Sequence, residues 1–141
     1  MYMRILISID LDDPDTMKKA FAAAQQLLQN SENALIRLIN VQPIVPLSIL
    51  GYLPPHFDED ISEEIERKFS MIASVSGLPE NRISRIIRYG SVYDEVLAEA
   101  NEWMADVIIV GSHKPSMSTY LLGSSAATIT RHAKCSVLIV R

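Results

Sequence analysis

The chain has 141 residues, a length typical of one domain with a substantial core. Its 13 Lys and Arg against 17 Asp and Glu give a formal net charge of -4, which supplies no broad positive field for nucleic acid. Apolar residues make up 48% of the chain, yet no apolar run approaches the roughly 20 residues that span a bilayer. The N-terminus lacks a signal-peptide pattern, and a single cysteine cannot form an internal disulfide. We therefore predict one cytoplasmic domain over residues 1–141, with neither nucleic acid nor membrane as a partner.

Short apolar runs and helical stripes alternate along the chain. The first run, "MRILISI" at residues 3–9, is rich in isoleucine and too short for a helix, which favours a buried strand. Asp13 before Pro14 is typical of a helix start, because aspartate caps a helix and proline suits its first turn. The apolar stripe predicted for that helix consists of Met17, Ala20, Phe21, Ala24 and Leu28. Residues 35–41, "LIRLINV", predict a second strand.

The middle of the chain is less regular. Residues 42–57 contain four prolines and a glycine, so we predict a long exposed loop there. The acidic residues 58–60 favour a helix N-terminus. The apolar stripe predicted for this helix consists of Ile61, Ile65, Phe69, Ile72 and Val75. A third strand is predicted over residues 82–89.

The last part of the chain repeats the same alternation. Ser91 and Asp94 have the spacing of a capping box, and the helix after them is predicted to place Val92, Val96, Leu97, Ala100 and Met104 on one face. "DVIIVG", residues 106–111, predicts a fourth strand, the most apolar of the chain. A short helix after Gly123 and a fifth strand over "CSVLIVR" complete the pattern. Strands joined by helices predict an α/β fold, a doubly wound parallel sheet covered on both faces.

One stretch, "GSHKPSMSTYLLGSS" at residues 111–125, follows the fourth strand. Ligands of open α/β sheets bind outside the carboxyl ends of the strands, and a helix that starts near Gly123 directs free N–H groups at an anion. Ser124 and Ser125 add hydroxyl donors. If the first strand lies beside the fourth, the Asp10 carboxylate is placed to accept hydrogen bonds from a ribose. The combination predicts a nucleotide site, although glycines at these positions are also ordinary turn residues.

Three segments of the chain resemble the universal stress protein family, in particular its enterobacterial F and G members. They are "RILISID" at residues 4–10, "LINVQP" at residues 38–43, and residues 111–141 as a whole. The resemblance covers nearly the whole chain. It implies a five-stranded parallel sheet of order 3-2-1-4-5, assembly into a homo-oligomer and, in one branch of the family, ATP held by a loop of pattern G-x-x-G-x9-G-[ST].

This sequence keeps the phosphate-loop pattern only in part. Gly111 matches its first glycine, and Gly123 with Ser124 matches the last pair. Lys114 stands in place of the second glycine, and eight residues rather than nine separate it from Gly123. Proline follows Lys114, which biases that residue towards extended conformations. The loop must therefore differ in detail from the family's.

Other positions of the family's ATP site also have counterparts here. Asp10 matches its aspartate, and Val41 matches the position whose backbone faces adenine. Ser8 stands where ATP-binding members tend to have proline. The predicted ligand-binding residues are therefore Ser8, Asp10, Val41, Gly111, Ser112, His113, Lys114, Gly123, Ser124 and Ser125.

The function implied is that of a stress-response regulator that binds ATP, ADP or AMP, with Mg²⁺ as a companion of the nucleotide and no metal site made by the protein alone. One alternative is a nucleotide-free homodimer or tetramer that pairs through strand 136–140, because such pairing hides an exposed edge. Another is a very slow ATP hydrolase or autophosphorylating protein. No side chain stands out as a general base for water, which argues against fast turnover.

The remaining reactive side chains have simpler interpretations. We predict that His113 shapes its loop, that His132 lies near a helix C-terminus, and that His56 is an exposed loop residue. Cys135 is predicted to be a small, largely buried side chain rather than a nucleophile. The acidic residues 58–66 occupy several faces of one helix, which indicates a solvated surface rather than a metal site.

Overall fold

The fold is built on one parallel sheet. The computed structural model describes residues 2–29, 31–112 and 122–141. Five strands pair in the order β3-β2-β1-β4-β5, every pair parallel, which confirms the predicted α/β class and strand order. The strands are β1 (Arg4–Ser8), β2 (Leu35–Gln42), β3 (Ile83–Tyr89), β4 (Val107–Gly111) and β5 (Ser136–Val140).

Helices cover both faces of the sheet. They are α1 (Pro14–Leu28), α2 (Leu47–Leu50), α3 (Phe57–Ser74), α4 (Val92–Trp103) and α5 (Ser124–His132), with a short 3-10 turn at Glu80–Arg82. Because side chains alternate along a strand, Ile5 and Ile7 of β1 pack with α1 and α3, whereas Leu6 packs with α4 and α5. Within the described residues, no helix is long and apolar enough to cross a membrane.

Helix α1 begins as its sequence predicts. The Asp13 side chain accepts a hydrogen bond from the Thr16 backbone N–H at 3.2 Å, and Pro14 is the first helical residue. All five residues of its predicted apolar stripe are buried. The cap and the stripe together fix where α1 starts and which face it turns to the sheet, and so position the loop between β1 and α1.

The prediction of a continuous loop over residues 42–57 is wrong in part. The chain forms the single helical turn α2 there, and α3 already begins at Phe57. Residues 47–50 contain no proline or glycine, so one turn can close between the flanking prolines. The exposure was predicted correctly, since Leu47 is 86% exposed.

Two helix ends differ from the predicted stripes. Met104 lies beyond α4 in the left-handed conformation (φ 58°) and is exposed, and Trp103 takes the buried position instead. Val75 is likewise exposed at the end of α3. The predicted capping box also takes another form, because the Ser91 hydroxyl donates to the Asp94 carboxylate at 2.7 Å rather than capping a backbone amide.

A charged network joins α4 to the face of the sheet. The Glu99 side chain is 3% exposed and accepts hydrogen bonds from Arg37 at 2.7 Å and from Arg88 at 2.8 Å. Hydrogen bonds from Arg88 to carboxylates, first of all to Glu95, raise the pKa of that guanidinium. The Arg37 guanidinium also lies 4.7 Å from the centre of the Trp103 ring. Glu99 is therefore a buried charge compensated by two arginines from neighbouring strands.

Candidate functional site

A cleft of about 850 Å³ opens at the carboxyl ends of β1 and β4. From β1 the chain builds the sheet outwards through β2 and β3 in one direction and through β4 and β5 in the other, so the strand order reverses between β1 and β4. This reversal is where ligands of open α/β sheets bind. The floor of the cleft is apolar and buried, formed by Ile9, Met17, Val110 and Ile129.

Acidic side chains line the cleft where the chain leaves β1. The Asp10 carboxylate accepts a hydrogen bond from the Asp12 backbone N–H at 2.9 Å through its Oδ1 atom. Such a turn orients the carboxylate and leaves its second oxygen to accept from hydroxyl groups of a ligand. Asp12 and Asp13 lie on the same side of the cleft. This side is anionic, so it suits sugar hydroxyls or a cation rather than phosphate.

Gly111 ends β4 directly against helix α1. A Cβ atom added at Gly111 would lie 2.9 Å from the Cγ2 atom of Thr16. Both residues line the cleft, so glycine is needed here for close packing beside the site rather than for a left-handed backbone. The lack of a side chain also exposes the backbone of β4 to a ligand.

The N-terminus of α5 faces the same cleft. Gly123 is its N-cap residue, and Ser124 and Ser125 form its first turn and line the cleft. The backbone N–H groups of a first helical turn have no acceptor within the helix, so they favour a bound anion. The positive end of this helix and the carboxylates that follow β1 therefore line the same cleft, so the site carries groups of both polarities.

Two backbone hydrogen bonds hold the entry of α5 beside the sheet. The Gly123 N–H donates to the Ser112 carbonyl at 2.6 Å, and the Ser112 N–H donates to the Val140 carbonyl at 2.8 Å. Ser112 is buried, with 2% of its surface exposed. The two ends of the segment that carries the predicted phosphate loop are thus bonded to each other, and Ser112 is bonded to β5.

Two amide side chains lie at the carboxyl end of β2. The Asn40 side chain is buried and donates from Nδ2 to the Ile9 carbonyl at 3.0 Å. Gln42 donates from Nε2 to the Asn40 Oδ1 atom at 2.6 Å. Both residues line the cleft together with Val41. This end of the site has apolar walls and amide groups, unlike the charged β1 side.

The structure brings most of the predicted ligand-binding residues together. Those that line the cleft are Ser8, Asp10, Val41, Gly111, Gly123, Ser124 and Ser125. Ser112 lies at the base of the loop, where its backbone bonds hold the loop ends. His113 and Lys114 lie outside the described residues.

The sequence prediction missed Thr16, Asn40 and Gln42, which also line the cleft. A signal for Asn40 was present, because a polar residue within the apolar run of β2 indicates a buried hydrogen bond or a ligand contact. Thr16 lies in the first turn of α1, where its hydroxyl carries no distinguishing pattern. Its approach to Gly111 depends on packing between α1 and β4.

The other candidate residues lie away from the cleft lining. His56 is exposed in the segment before α3 and pairs with Glu59 at 3.3 Å, and His132 lies exposed in the last turn of α5. Cys135 is half-buried just before β5, and burial raises the pKa of its thiol. Across the described ranges, no group of three or more His, Cys, Asp and Glu side chains is placed to hold a metal ion.

These features define a class, the doubly wound α/β proteins with a polarised ligand cleft at the reversal of strand order. The model of the universal stress protein family matches residues 1–141, and the chain belongs to that family. Universal stress protein G of Escherichia coli O157:H7 is 36% identical over 144 aligned residues, which cover 100% of both chains.

Solved structures show the same fold. A universal stress protein in complex with cAMP has a TM-score of 0.62 at 24% identity, covering 99% of this chain and 97% of its own. The universal stress protein of Archaeoglobus fulgidus in complex with dAMP has a TM-score of 0.66 at 16% identity, covering 99% of this chain and 98% of its own.

Proposed function

We propose that this chain is a cytoplasmic stress-response regulator that binds ATP, ADP or AMP in the cleft between β1 and β4. The observation that carries the proposal is the polarity of the cleft. A carboxylate oriented by a tight turn at Asp10 lines the same cleft as the first turn of α5 at Ser124 and Ser125, whose backbone N–H groups favour an anion. Sugar hydroxyls can donate to the Asp10 carboxylate, and phosphates can accept from the N–H groups of the first turn of α5.

The cleft also contains a region that suits the base of a nucleotide. Val41, Pro43 and Val92 line the cleft beside the amides that end β2. Apolar walls with few polar groups are typical of pockets for flat aromatic ligands. The complexes with cAMP and dAMP in two proteins of this fold support an adenine nucleotide here.

In this proposal the nucleotide acts as a ligand rather than as a substrate. The acidic residues that line the cleft, Asp10, Asp12 and Asp13, follow β1, whereas the proposed phosphates lie at the first turn of α5. A general base must lie within hydrogen-bond reach of its water. We therefore expect hydrolysis to be very slow, with Mg²⁺ arriving on the nucleotide.

The test begins with the small molecules that the protein retains. Freshly purified protein is denatured, and the released compounds are separated and identified by mass spectrometry. We expect about one adenine nucleotide per chain, and its loss from Gly123→Val, because a branched side chain at the N-cap crowds the first turn of α5. If no nucleotide is released and added ATP does not raise the melting temperature, the proposal is wrong.

A second candidate function concerns assembly. Among the described residues, strand β5 pairs on one side only, with β4, and Leu138 within it is 37% exposed. An apolar strand at a sheet edge is a ready partner for a second copy, so we propose a homodimer or tetramer that pairs through residues 136–140. Sedimentation of Leu138→Lys should then show a lower mass than the unmodified protein, and an unchanged mass would count against this surface.

A further inference from the structure

We infer that Gln42 selects the base of the bound nucleotide by accepting a hydrogen bond from an exocyclic amino group through its Oε1 atom. This inference rests on the proposed nucleotide site and adds a specificity-determining side chain to it. Gln42 and its neighbour Asn40 are amides at the end of β2, and both line the cleft. Their hydrogen bonds decide which way the side-chain amide of Gln42 is turned.

The orientation of Asn40 is fixed by its backbone partner. Asn40 is 4% exposed, and its Nδ2 atom lies 3.0 Å from the Ile9 carbonyl oxygen. A carbonyl oxygen can only accept, so the nearer side-chain atom of Asn40 must be the donor nitrogen. The reversed amide would place two oxygens in contact inside the protein, at a high cost. Oδ1 of Asn40 therefore faces the other way.

The orientation of Gln42 follows from that of Asn40. The Asn40 Oδ1 atom can only accept, so the side-chain atom of Gln42 that lies 2.6 Å from it must be the donor Nε2. This bond uses one of the two Nε2 hydrogens and leaves Oε1 as the acceptor of the amide, which in our inference meets the ligand. The row from Ile9 through Asn40 to Gln42 thus fixes which side of the Gln42 amide carries the acceptor oxygen.

The backbone of Gln42 is held as firmly as its side chain. Gln42 pairs with Tyr89 of β3, and its carbonyl accepts a hydrogen bond from the Gly90 N–H at 2.9 Å. Because both the backbone and the side chain of Gln42 are held, the side chain loses little conformational freedom when a ligand binds. This strengthens its discrimination between bases. An amino group at the 6-position of a purine satisfies Oε1, and hydrogen at that position leaves Oε1 without a partner.

The experiment compares two nucleotides that differ in one group. ATP carries an amino group at the 6-position, and purine riboside triphosphate carries hydrogen there. Calorimetry on the full chain gives the ratio of their dissociation constants. We expect the unmodified protein to bind ATP about tenfold more tightly, which corresponds to one hydrogen bond to a base. The ratio should fall to near one in Gln42→Leu and should also fall in Asn40→Ala, which frees Gln42 to rotate.

The control is Gln26→Leu, the same chemical change on the exposed face of α1, away from the cleft lining. It should leave the ratio unchanged. A general loss of stability weakens the binding of both nucleotides equally, so only a change in the ratio of their dissociation constants reports on base selection. If Gln42→Leu does not fold, Gln42→Met removes the acceptor with an unbranched side chain.

The outcomes separate this inference from the proposed function. If ATP binds but the ratio is near one in the unmodified protein, or stays at tenfold in Gln42→Leu, the role of Gln42 is wrong while nucleotide binding stands. If neither nucleotide binds the unmodified protein, the proposed function fails and this inference fails with it. A tenfold ratio lost in both amide variants and kept in Gln26→Leu establishes the role of Gln42.

Discussion

Substitution of Gly111 by alanine tests how tightly helix α1 packs against the end of β4. The added Cβ atom would lie 2.9 Å from the Thr16 Cγ2 atom, whereas ordinary contacts of a Cβ atom lie at 3.4–4 Å. The Thr16 methyl group would have to move by roughly 0.5 Å or more into a cleft wall. We expect the strain of this overpacking to cost about 1–3 kcal/mol.

An opposing effect arises in the unfolded chain. The positive-φ glycines are Gly77 and Gly90 among the described residues, so alanine fits the backbone at position 111. In such positions, alanine stabilises by about 0.4–1 kcal/mol because the unfolded chain loses freedom. The net destabilisation expected for Gly111→Ala is therefore about 1–2 kcal/mol. For 141 residues, this lowers Tm by roughly 3 °C per kcal/mol.

The decisive measurement repeats the substitution in a Thr16→Ser background. Serine lacks the Cγ2 methyl group, and the Thr16 hydrogen bond that caps α1 is made by its backbone N–H, which serine retains. Gly111→Ala should then be neutral or slightly stabilising in urea denaturation, giving a coupling of about 1–3 kcal/mol between the two positions. Equal destabilisation in both backgrounds would refute the contact with Thr16 as the reason for glycine.

Three further predictions concern other described side chains. Glu99→Ala should cost about 3 kcal/mol in urea denaturation, the low end for a buried ion pair, because Arg37 and Arg88 are partly exposed and stay hydrated; a loss below about 1 kcal/mol would contradict this. Asp13→Ala should cost about 1 kcal/mol by removing the cap of α1, whereas Asp13→Ser should retain most of the stability, and equal losses would argue against capping. Burial raises the pKa of the Cys135 thiol, so a smaller fraction of it is present as the reactive thiolate at pH 8. Its alkylation should therefore be slower than in urea-unfolded protein and should accelerate as the pH rises. Equal rates in folded and unfolded protein would show that the thiol is not protected.

The sheet was predictable because its signals are local. The apolar runs of β1 and β4 and the cap at Asp13 each lie within a few residues, and strand order followed from the resemblance to the family. The sequence predictions failed where a local pattern competes with three-dimensional packing. Met104 continues the helical spacing of α4, but the chain leaves the helix there in a left-handed turn.

The candidate site was predictable only where a motif marked it. Gly111 and Gly123 belong to a recognisable loop pattern, and Asp10 follows a strand. Thr16 and Gln42 carry no such pattern. Thr16 joins the cleft because α1 packs on β4, a contact between residues distant in the chain. Gln42 joins it through a hydrogen bond to Asn40, whose orientation depends on its burial.

The hydrogen bonds that tie Ser112 to Gly123 and to Val140 have an evolutionary consequence. Ser112 and Gly123, the described residues near the two ends of the predicted phosphate loop, are already bonded to each other. Insertion or deletion of a residue between such points changes the entropy of closing the excursion by little. We therefore expect that a loop with eight residues between Lys114 and Gly123, where the family pattern has nine, leaves the pairing of β4 with β5 unchanged. Natural selection can therefore alter the length of this segment in single-residue steps while the five strands keep their pairing.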